Sequence, residues 1–186
     1  PQGPRKGFET VVNGNTIRPT RISSLATYVP PGILDNKTLS KMVDTTDEWI
    51  LQRTGIRTRH VADKGVATSD LGREAALKAI AQAGLVPADI DLIVVGTTTP
   101  DMFFPSTAAL IQDKIGAIGC WGFDLAAACS GFTFSVSVAS QIVSTGKSHH
   151  ALVVGADVMS SIIDYTDRTT CVLFGDGAGA VVIEAA

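Results

Sequence analysis

The stretch 124-DLAAACSGF-132 marks the point where the chain passes from a predicted strand to a predicted helix. Residues 121–128 form an apolar run of strand length, and a long helix is predicted to begin at Ser130. Cys129 therefore falls at the turn between them. The backbone N–H groups of a first helical turn point towards such a position, and the positive end of the helix dipole favours a thiolate over a thiol. The pattern predicts a cysteine nucleophile.

A structural role for Cys129 stays open on position alone, because free cysteine is among the most buried residue types. Its small neighbours favour the nucleophile, since they leave room for a substrate that a structural cysteine would not need. The other two cysteines, Cys120 and Cys171, show no metal-ligand spacing, and a total of three argues against a disulfide framework. Both are predicted to be core thiols in a reducing compartment.

Composition narrows the class of protein. The chain has 186 residues, of which 45% are hydrophobic and 18% charged, and this suits one well-packed domain. The net charge of −3 comes without a stripe of Lys and Arg, so no nucleic-acid partner is expected. The longest apolar runs have strand length, and no signal segment opens the chain, so no membrane segment is expected and a cytoplasmic location is predicted. Residues 1–16 are predicted to form an irregular N-terminal arm ahead of the folded residues 17–186.

The rest of the pattern alternates strands with helices. Strands are predicted at residues 21–29, 91–97, 121–128, 151–157, 169–174 and 180–184. Helices are predicted to begin at the caps Asn36, Thr45, Ser69, Ser106 and Ser130. This alternation indicates an α/β fold with a largely parallel sheet. The helix after Ser130 is apolar almost all round, so a further layer is expected to cover its outer side.

Trp49 and Arg53 lie four residues apart on a short predicted helix that opens with a capping box from Thr45 to Glu48 and ends at Gly55. This spacing places an aromatic plane and a guanidinium on one helix face. Two interpretations stay open: a cation–π pair at the surface, or a nucleotide site in which the ring stacks and the cation contacts phosphate.

None of the three histidines in the chain is predicted to act as a base for Cys129. His149 and His150 precede a strand and so lie at its amino end, whereas ligands of open α/β sheets gather at the carboxyl ends. His60 follows a basic loop and is predicted to be a surface residue. No Cys–His pair is therefore predicted.

The glycine-rich residues 175–179 lack the spacing of a dinucleotide loop, and they are predicted to form tight turns between two strands. Asp164, Asp167 and Asp176 show no metal-ligand clustering, so they are predicted to cap turns.

Five motifs together resemble a known family. They are 46-TDEWI-50 with 53-RTGIR-57, 104-FPS-106, 127-AACSGF-132, 166-TDR-168 and 174-FGDGAGA-180. In this order they are similar to the N-terminal half of the 3-oxoacyl-[acyl carrier protein] synthase III family, the initiating condensing enzymes of fatty acid synthesis. The cysteine motif alone is shared with thiolases, but the Glu-Trp-Ile and Arg-Thr-Gly-Ile pieces are characteristic of type III.

The resemblance implies a thiolase-like fold of five layers, αβαβα, of which this chain supplies the N-terminal half. It implies that Cys129 takes an acyl group from acyl-coenzyme A, and that malonyl-acyl carrier protein then decarboxylates and condenses with it. The remaining expected site residues are Trp49, Arg53 and Arg168 for coenzyme A, and Met159, Phe174 and the partner subunit's Phe104 for the acyl pocket of a homodimer. Neither a cofactor nor a metal is expected beside these substrates.

The chain also departs from the family pattern. The family's His and Asn for decarboxylation, and a glycine N–H of its oxyanion hole, belong to the C-terminal half, so this chain alone is expected at most to be acylated. Thr169 stands where many relatives have Gly, which leaves a donor other than acetyl-coenzyme A open. Two other functions stay open: an acyltransferase of secondary metabolism that forms an ester, amide or diketide, and a non-catalytic assembly partner, against which Cys129 argues.

Overall fold

The computed structural model describes residues 10–12 and 15–186. Its strands are β1 (Thr10–Val12), β2 (Asn15–Ile17), β3 (Thr20–Tyr28), β4 (Gly32–Asp35), β5 (Thr58–Val61), β6 (Leu92–Gly96), β7 (Trp121–Leu125), β8 (His150–Val158) and β9 (Asp176–Ala185). Its α-helices are α1 (Asn36–Leu39), α2 (Asp47–Thr54), α3 (Thr68–Gln82), α4 (Thr107–Ile115) and α5 (Gly131–Ser144). β1 and β2 pair as a short hairpin, so this part of the predicted irregular arm is regular, whereas residues 1–9, 13 and 14 lie outside the described residues.

The main sheet is mixed rather than largely parallel as predicted. Its strand order is β3-β9-β8-β6-β7, and β6 runs parallel to both β7 and β8. β9 runs antiparallel to β8 and to β3. A parallel neighbour requires a crossover connection, usually a helix, but residues 159–175 form a 3-10 turn and loops that return the chain in the opposite direction.

The prediction of turns at residues 175–179 and of a strand at residues 169–174 is wrong. β9 begins at Asp176 because its backbone pairs with strands on both sides, which outweighs the low strand propensity of its glycines. Residues 169–174 form turns because Asp167 accepts hydrogen bonds from the N–H of Thr169 and from the hydroxyl of Thr170. Such side-chain bonds compete with a strand ladder.

Helices pack on both faces of the main sheet. On one face, α3 and α4 bury Ile80 and Ile111 in a core cluster with Ile93, Leu152 and Val182 of the sheet. On the other face, α5 packs Ala139 and Val143 against Leu92 and Val153. The strand that precedes Cys129 and the helix that follows it are therefore both fixed by the sheet.

The outer side of α5 carries exposed apolar residues. Phe134 is 52% exposed, and on the neighbouring strand β3 the exposed fractions of Ile22 and Leu25 are 53% and 59%. The described residues leave this surface uncovered, and an apolar surface of this kind marks an interaction site. It agrees with the expectation that a further layer packs on α5.

Three helix caps differ from their predicted positions. Thr46, rather than Thr45, accepts the N–H of Trp49 at the start of α2, and Asp35, rather than Asn36, caps α1. α3 has Ala67 at its cap, not Ser69, and the carboxylate of Asp70 binds back to it. Ser106 caps α4 as predicted, and Gly55 ends α2 in the left-handed conformation. Among the described residues, no helix combines the length and the apolar character needed to cross a membrane.

Candidate active site

Cys129 lies in a short 3-10 turn, Ala128–Ser130, between the end of β7 and the start of α5. Its side chain is exposed. The preceding residue, Ala128, has a φ of 45°. That left-handed conformation costs a non-glycine residue about 1–2 kcal/mol. Strain of this kind persists where the surrounding structure fixes a turn, and it is typical of functional sites.

The other two cysteines are buried, as predicted. Burial raises the pKa of both thiols, and the carboxylates of Asp91 and Asp167 raise it further at Cys120 and Cys171 respectively. Both are therefore poor nucleophiles near neutral pH. Of the three cysteines in the sequence, Cys129 is the one placed to react.

Three glycines, which we call the glycine row, lie side by side on β6, β8 and β9, and two of them allow α5 to start close to the sheet. Gly96 of β6 pairs with Gly155 of β8, which pairs in turn with Gly179 of β9. A Cβ at Gly96 would lie 2.7 Å from the carbonyl carbon of Gly131, and a Cβ at Gly155 would lie 3.0 Å from the ring of Phe132. Because Gly96 and Gly155 carry no side chain, the first turn of α5, directly after Cys129, packs against the backbone of β6 and β8.

A cavity of about 350 Å³ opens beside Cys129. The glycine row forms part of its wall, and Leu25, Phe132 and Asp157 contribute side chains. Small ligand sites in proteins are commonly concave, mostly apolar and supplied with a few polar groups. The cavity therefore gives the thiol a place where a substrate carbonyl can approach.

The three predicted acyl-pocket residues do not line this cavity. Phe104 is 88% exposed in the loop before α4, and Phe174 is 38% exposed before β9. Met159 follows β8, and its sulfur lies 3.9 Å from the hydroxyl oxygen of Thr98. Phe104 and Met159 follow the carboxyl ends of β6 and β8, the sheet edge at which Cys129 also lies, but their role in an acyl pocket stays a prediction.

Two carboxylates fix the loop that connects β6 to α4. Asp157 accepts hydrogen bonds through one oxygen from the hydroxyls of residues 97–99 and from two backbone N–H groups of that turn. Asp124 of β7 accepts the N–H groups of Thr107 and Ala108, at 2.7 and 2.8 Å, in the first turn of α4. The loop is thereby anchored at both ends, and the charge of Asp124 complements the helix dipole.

The three predicted coenzyme residues come together in the structure. The guanidinium carbon of Arg53 lies 5.4 Å from the centre of the Trp49 ring, and that of Arg168 lies 5.2 Å from it. Arg53 reaches the ring from the next turn of α2, whereas Arg168 comes from the loop between β8 and β9 and donates to the carbonyl of Asp44 at 2.9 Å. An indole plane and two guanidinium groups suit a ligand that carries both a flat ring and phosphates.

Comparison with known proteins shows which protein family the chain resembles. A family model described as 3-Oxoacyl-[acyl-carrier-protein (ACP)] synthase III matches residues 123–186. The Beta-ketoacyl-[acyl-carrier-protein] synthase III of Koribacter versatilis is 56% identical over 169 residues, which are 91% of this chain and 51% of the relative. The chain corresponds to the N-terminal half of the 3-oxoacyl-[acyl-carrier-protein] synthase III family.

Solved structures extend the comparison to the fold. The 3-oxoacyl-[acyl-carrier-protein] synthase III from Aquifex aeolicus superposes with a TM-score of 0.87 at 44% identity, over 90% of this chain and 54% of that chain. The priming beta-ketosynthase of the R1128 polyketide biosynthetic pathway gives 0.89 at 40% identity, over 91% and 51%. The chain thus spans about half the length of the relatives it matches, and the predicted thiolase-like fold, with this chain as its N-terminal half, is confirmed.

The histidines of this synthase III half lie away from Cys129, as predicted. Nδ1 of His60 lies 2.7 Å from the carbonyl oxygen of Pro30. His149 contacts the carboxylate of Asp91 at 3.2 Å, and His150 opens β8 at the end of that strand opposite to the cysteine. None of the three lines the cavity at Cys129.

Two of the three aspartates predicted to cap turns do so in the structure. Asp164 and Asp167 accept the N–H groups of Thr166 and Thr169, and hydrogen bonds from these threonines hold the pKa of both carboxyls below the usual range. Asp176 is buried in β9 rather than placed in a turn, and it accepts hydrogen bonds from backbone N–H groups of two loops. The described residues contain no group of three His, Cys, Asp or Glu side chains that could hold a metal ion.

Proposed function

We propose that this chain carries the acyl-accepting half of the active site of a type III condensing enzyme of fatty acid synthesis. The observation that carries the proposal is the placement of Cys129: an exposed thiol in a strained turn, at the start of a helix packed on the sheet and beside a cavity. The buried state of the other cysteines excludes them as acyl acceptors under the same conditions.

The first step is transfer of an acyl group from acyl-coenzyme A. The sulfur of Cys129 forms a bond to the thioester carbonyl carbon, the bond from that carbon to the coenzyme sulfur breaks, and coenzyme A leaves with the proton of the thiol. The product is an acyl thioester on Cys129.

The second step is condensation. Malonyl-acyl carrier protein loses CO₂, and its carbanion attacks the acyl carbon on Cys129, which releases the cysteine thiolate and forms the new carbon–carbon bond. The groups that drive decarboxylation belong to the other half of the family's fold, and the residues of this chain are assigned the acyl-transfer step. No cofactor or metal takes part in either step of the proposal.

Substrate binding is assigned to two groups of residues. Trp49, Arg53 and Arg168 hold the nucleotide end of coenzyme A, an assignment supported by their convergence on one indole ring. Met159 and Phe174 line the acyl pocket together with the partner subunit's Phe104 in a homodimer. A cytoplasmic location belongs to the same proposal, because the buried thiols suit a reducing compartment.

Intact-mass measurement tests the nucleophile. The full-length protein, incubated with acetyl-coenzyme A and with longer acyl-coenzymes, is expected to gain one acyl group. Cys129→Ala removes the adduct, whereas Cys171→Ala, the matched control at a buried thiol, retains it. An acyl adduct that still forms on Cys129→Ala contradicts the assignment of Cys129 as the nucleophile.

A second experiment tests the coenzyme site. Arg53→Ala and Arg168→Ala each remove a cation that contacts phosphate, so we expect the acyl-coenzyme A concentration for half-maximal acylation to rise about tenfold. Arg73→Ala, which removes an exposed arginine of α3, serves as the control. Unchanged half-saturation in both site variants contradicts the proposal.

A condensing enzyme of secondary metabolism is the second candidate. It is favoured by the similarity to the priming beta-ketosynthase of the R1128 pathway, whose TM-score of 0.89 is as high as that of the synthase III from Aquifex aeolicus, although its identity of 40% is below the 44% of the latter. Both candidates share the acyl-Cys129 step, so the donor and acceptor decide between them. Preference for an acceptor other than malonyl-acyl carrier protein supports the second candidate. A third candidate, the non-catalytic assembly partner, predicts no acylation at all.

A further inference from the structure

A buried arginine connects two segments that carry the proposed coenzyme residues. Arg59 of β5 is 3% exposed. Its Nε donates to the carbonyl of Val172 at 3.0 Å, Nη2 donates to the same carbonyl, and Nη1 donates to the side-chain oxygen of Asn36. Val172 belongs to the loop between β8 and β9, from which Arg168 reaches Trp49.

Asn36 extends the connection to α2. This residue is 2% exposed, and its side-chain amide donates to Asp47 at 2.7 Å and to the carbonyl of Ile56 at 2.9 Å. Asp47 is the first residue of α2 and Ile56 follows its last turn, so both ends of the helix that carries Trp49 are held by one amide. We call Arg59, Asn36 and Asp47 the relay; Arg59 and Asn36 are buried, whereas Asp47 lies at the exposed start of α2.

The hydrogen bonds at the centre of the relay suit an arginine better than a lysine. Burial lowers the pKa of Arg59, which reflects the cost of a desolvated charge, and the groups that directly accept its hydrogen bonds are a carbonyl and an amide oxygen rather than a carboxylate. A planar guanidinium presents donors in a fixed fork that reaches two acceptors at once, whereas a lysine ammonium is a compact point charge. A buried, costly and directional group of this kind suits a role in fixing geometry.

We propose that Arg59 is a positioning residue for coenzyme A: through Asn36 and Val172 it sets the distance between the α2 face with Trp49 and the loop with Arg168. This inference rests on the proposed function, because it assigns a support to the same nucleotide site. Arg59 itself is buried and acts through Trp49 and Arg168, which are assigned to contact the coenzyme.

The test separates positioning from folding by means of two donors. Acetyl-coenzyme A carries the nucleotide, and the S-acetyl thioester of N-acetylcysteamine lacks it. Acylation of the full-length protein is followed by intact mass for wild type, Arg59→Lys and Asp47→Ala. Glu48→Ala is the matched control, because it removes the neighbouring exposed carboxylate of the same helix turn without touching Asn36.

For Arg59→Lys we expect the half-saturating acetyl-coenzyme A concentration to rise at least about tenfold, since small misplacements of binding groups have large effects. The maximal rate constant, and the rate with the truncated thioester, stay within about twofold of wild type because Cys129 is untouched. For Asp47→Ala we expect the half-saturating acetyl-coenzyme A concentration to rise a few-fold, with both rates again close to wild type. For Glu48→Ala we expect the half-saturating concentration and both rates to stay at the wild-type values.

Several outcomes overturn the inference. One is a half-saturating acetyl-coenzyme A concentration that stays within twofold of wild type in both relay variants. Another is an equal loss of acylation rate with both donors, because the effect then comes from folding. If Arg59→Lys does not fold, Asp47→Ala against Glu48→Ala decides. Loss of affinity in Arg168→Ala without loss in the relay variants refutes the positioning role alone, whereas a wild type that neither donor acylates refutes the proposed function as well.

Discussion

Replacing one glycine of the glycine row by alanine gives a sharp test of how Cys129 is positioned. A Cβ at Gly96 would lie 2.7 Å from the carbonyl carbon of Gly131, 2.8 Å from the nitrogen of Phe132 and 2.9 Å from the oxygen of Gly131. These are backbone atoms of the first turn of α5, so no side-chain rotation relieves the contact. A Cβ at Gly131 itself would meet its nearest atoms at 3.5 Å, which is ordinary van der Waals contact.

The magnitude follows from this geometry. To bring the Gly96→Ala methyl from 2.7 Å to an ordinary separation of about 3.4 Å, the start of α5 must move away from β6 by several tenths of an ångström. Overpacking of a tight contact costs about 1–3 kcal/mol in the free energy of unfolding, which corresponds to a loss of roughly 2–12 °C in Tm. Displacement of the adjacent cysteine relative to its substrate slows acylation by about 10- to 100-fold.

Thermal denaturation and intact-mass acylation kinetics measure the two effects. Gly131→Ala is the matched control, and we expect it to keep the wild-type acylation rate and to gain up to about 1 kcal/mol, because alanine is the better helix former. The reasoning is refuted by a Gly96→Ala protein as stable and as reactive as wild type, and equally by a Gly131→Ala protein that is damaged to the same extent.

Three further predictions concern single groups. Iodoacetamide at pH 8 is expected to alkylate Cys129 and to spare the two buried thiols, whose pKa values burial raises; peptide mapping by mass spectrometry reads this out, and equal labelling contradicts it. Asp124→Asn is expected to lower the free energy of unfolding by about 1 kcal/mol, because a charged acceptor leaves the start of α4; an unchanged Tm argues against the cap. Burial acts to raise the pKa of Asp70, but hydrogen bonds from Lys114 and a backbone N–H outweigh it and hold the pKa below its usual value. The stability from Asp70 is therefore present above about pH 4 and is lost as pH falls through the lowered pKa, so the Tm difference between wild type and Asp70→Asn should shrink progressively below pH 4; a difference that stays constant as the pH is lowered from about 5 to about 2 refutes the ion pair.

Local sequence signals predicted the parts of this fold that local chemistry determines. The turn at Cys129, the Ser106 cap and the helix end at Gly55 each depend on a few consecutive residues, and the structure confirms each of these predictions. The Thr45–Glu48 capping box was placed one residue too early because two threonines are adjacent, and the backbone conformation of Thr46 decides which hydroxyl reaches the N–H of Trp49.

Features that depend on distant partners were missed for a physical reason. Glycine at residues 177 and 179 indicates a turn by propensity, but pairing with two neighbouring strands places it inside β9. The glycine row leaves one visible trace, the repeated Val-Val-Gly at residues 94–96 and 153–155, whose meaning depends on the register between β6 and β8. The bond from Arg59 to Val172 spans 113 residues, a separation at which sequence pattern carries no signal.

The site divides into two parts that are held by different means. We infer that Cys129 is positioned by the close approach of Gly96 and Gly155 to the start of α5, whereas the proposed coenzyme residues are positioned by side-chain hydrogen bonds of the relay. Within the described residues, the contacts that fix one part share no residue with those that fix the other. Effects at independent sites add within about 0.3–0.5 kcal/mol. The double variant Gly96→Ala/Asp47→Ala is therefore expected to combine the slower acylation of the first change with the weaker acetyl-coenzyme A binding of the second, with each fold-change as in the single variants. A coupling larger than about threefold between the two, measured by the same acylation kinetics, shows instead that α2 and the cysteine turn move as one unit.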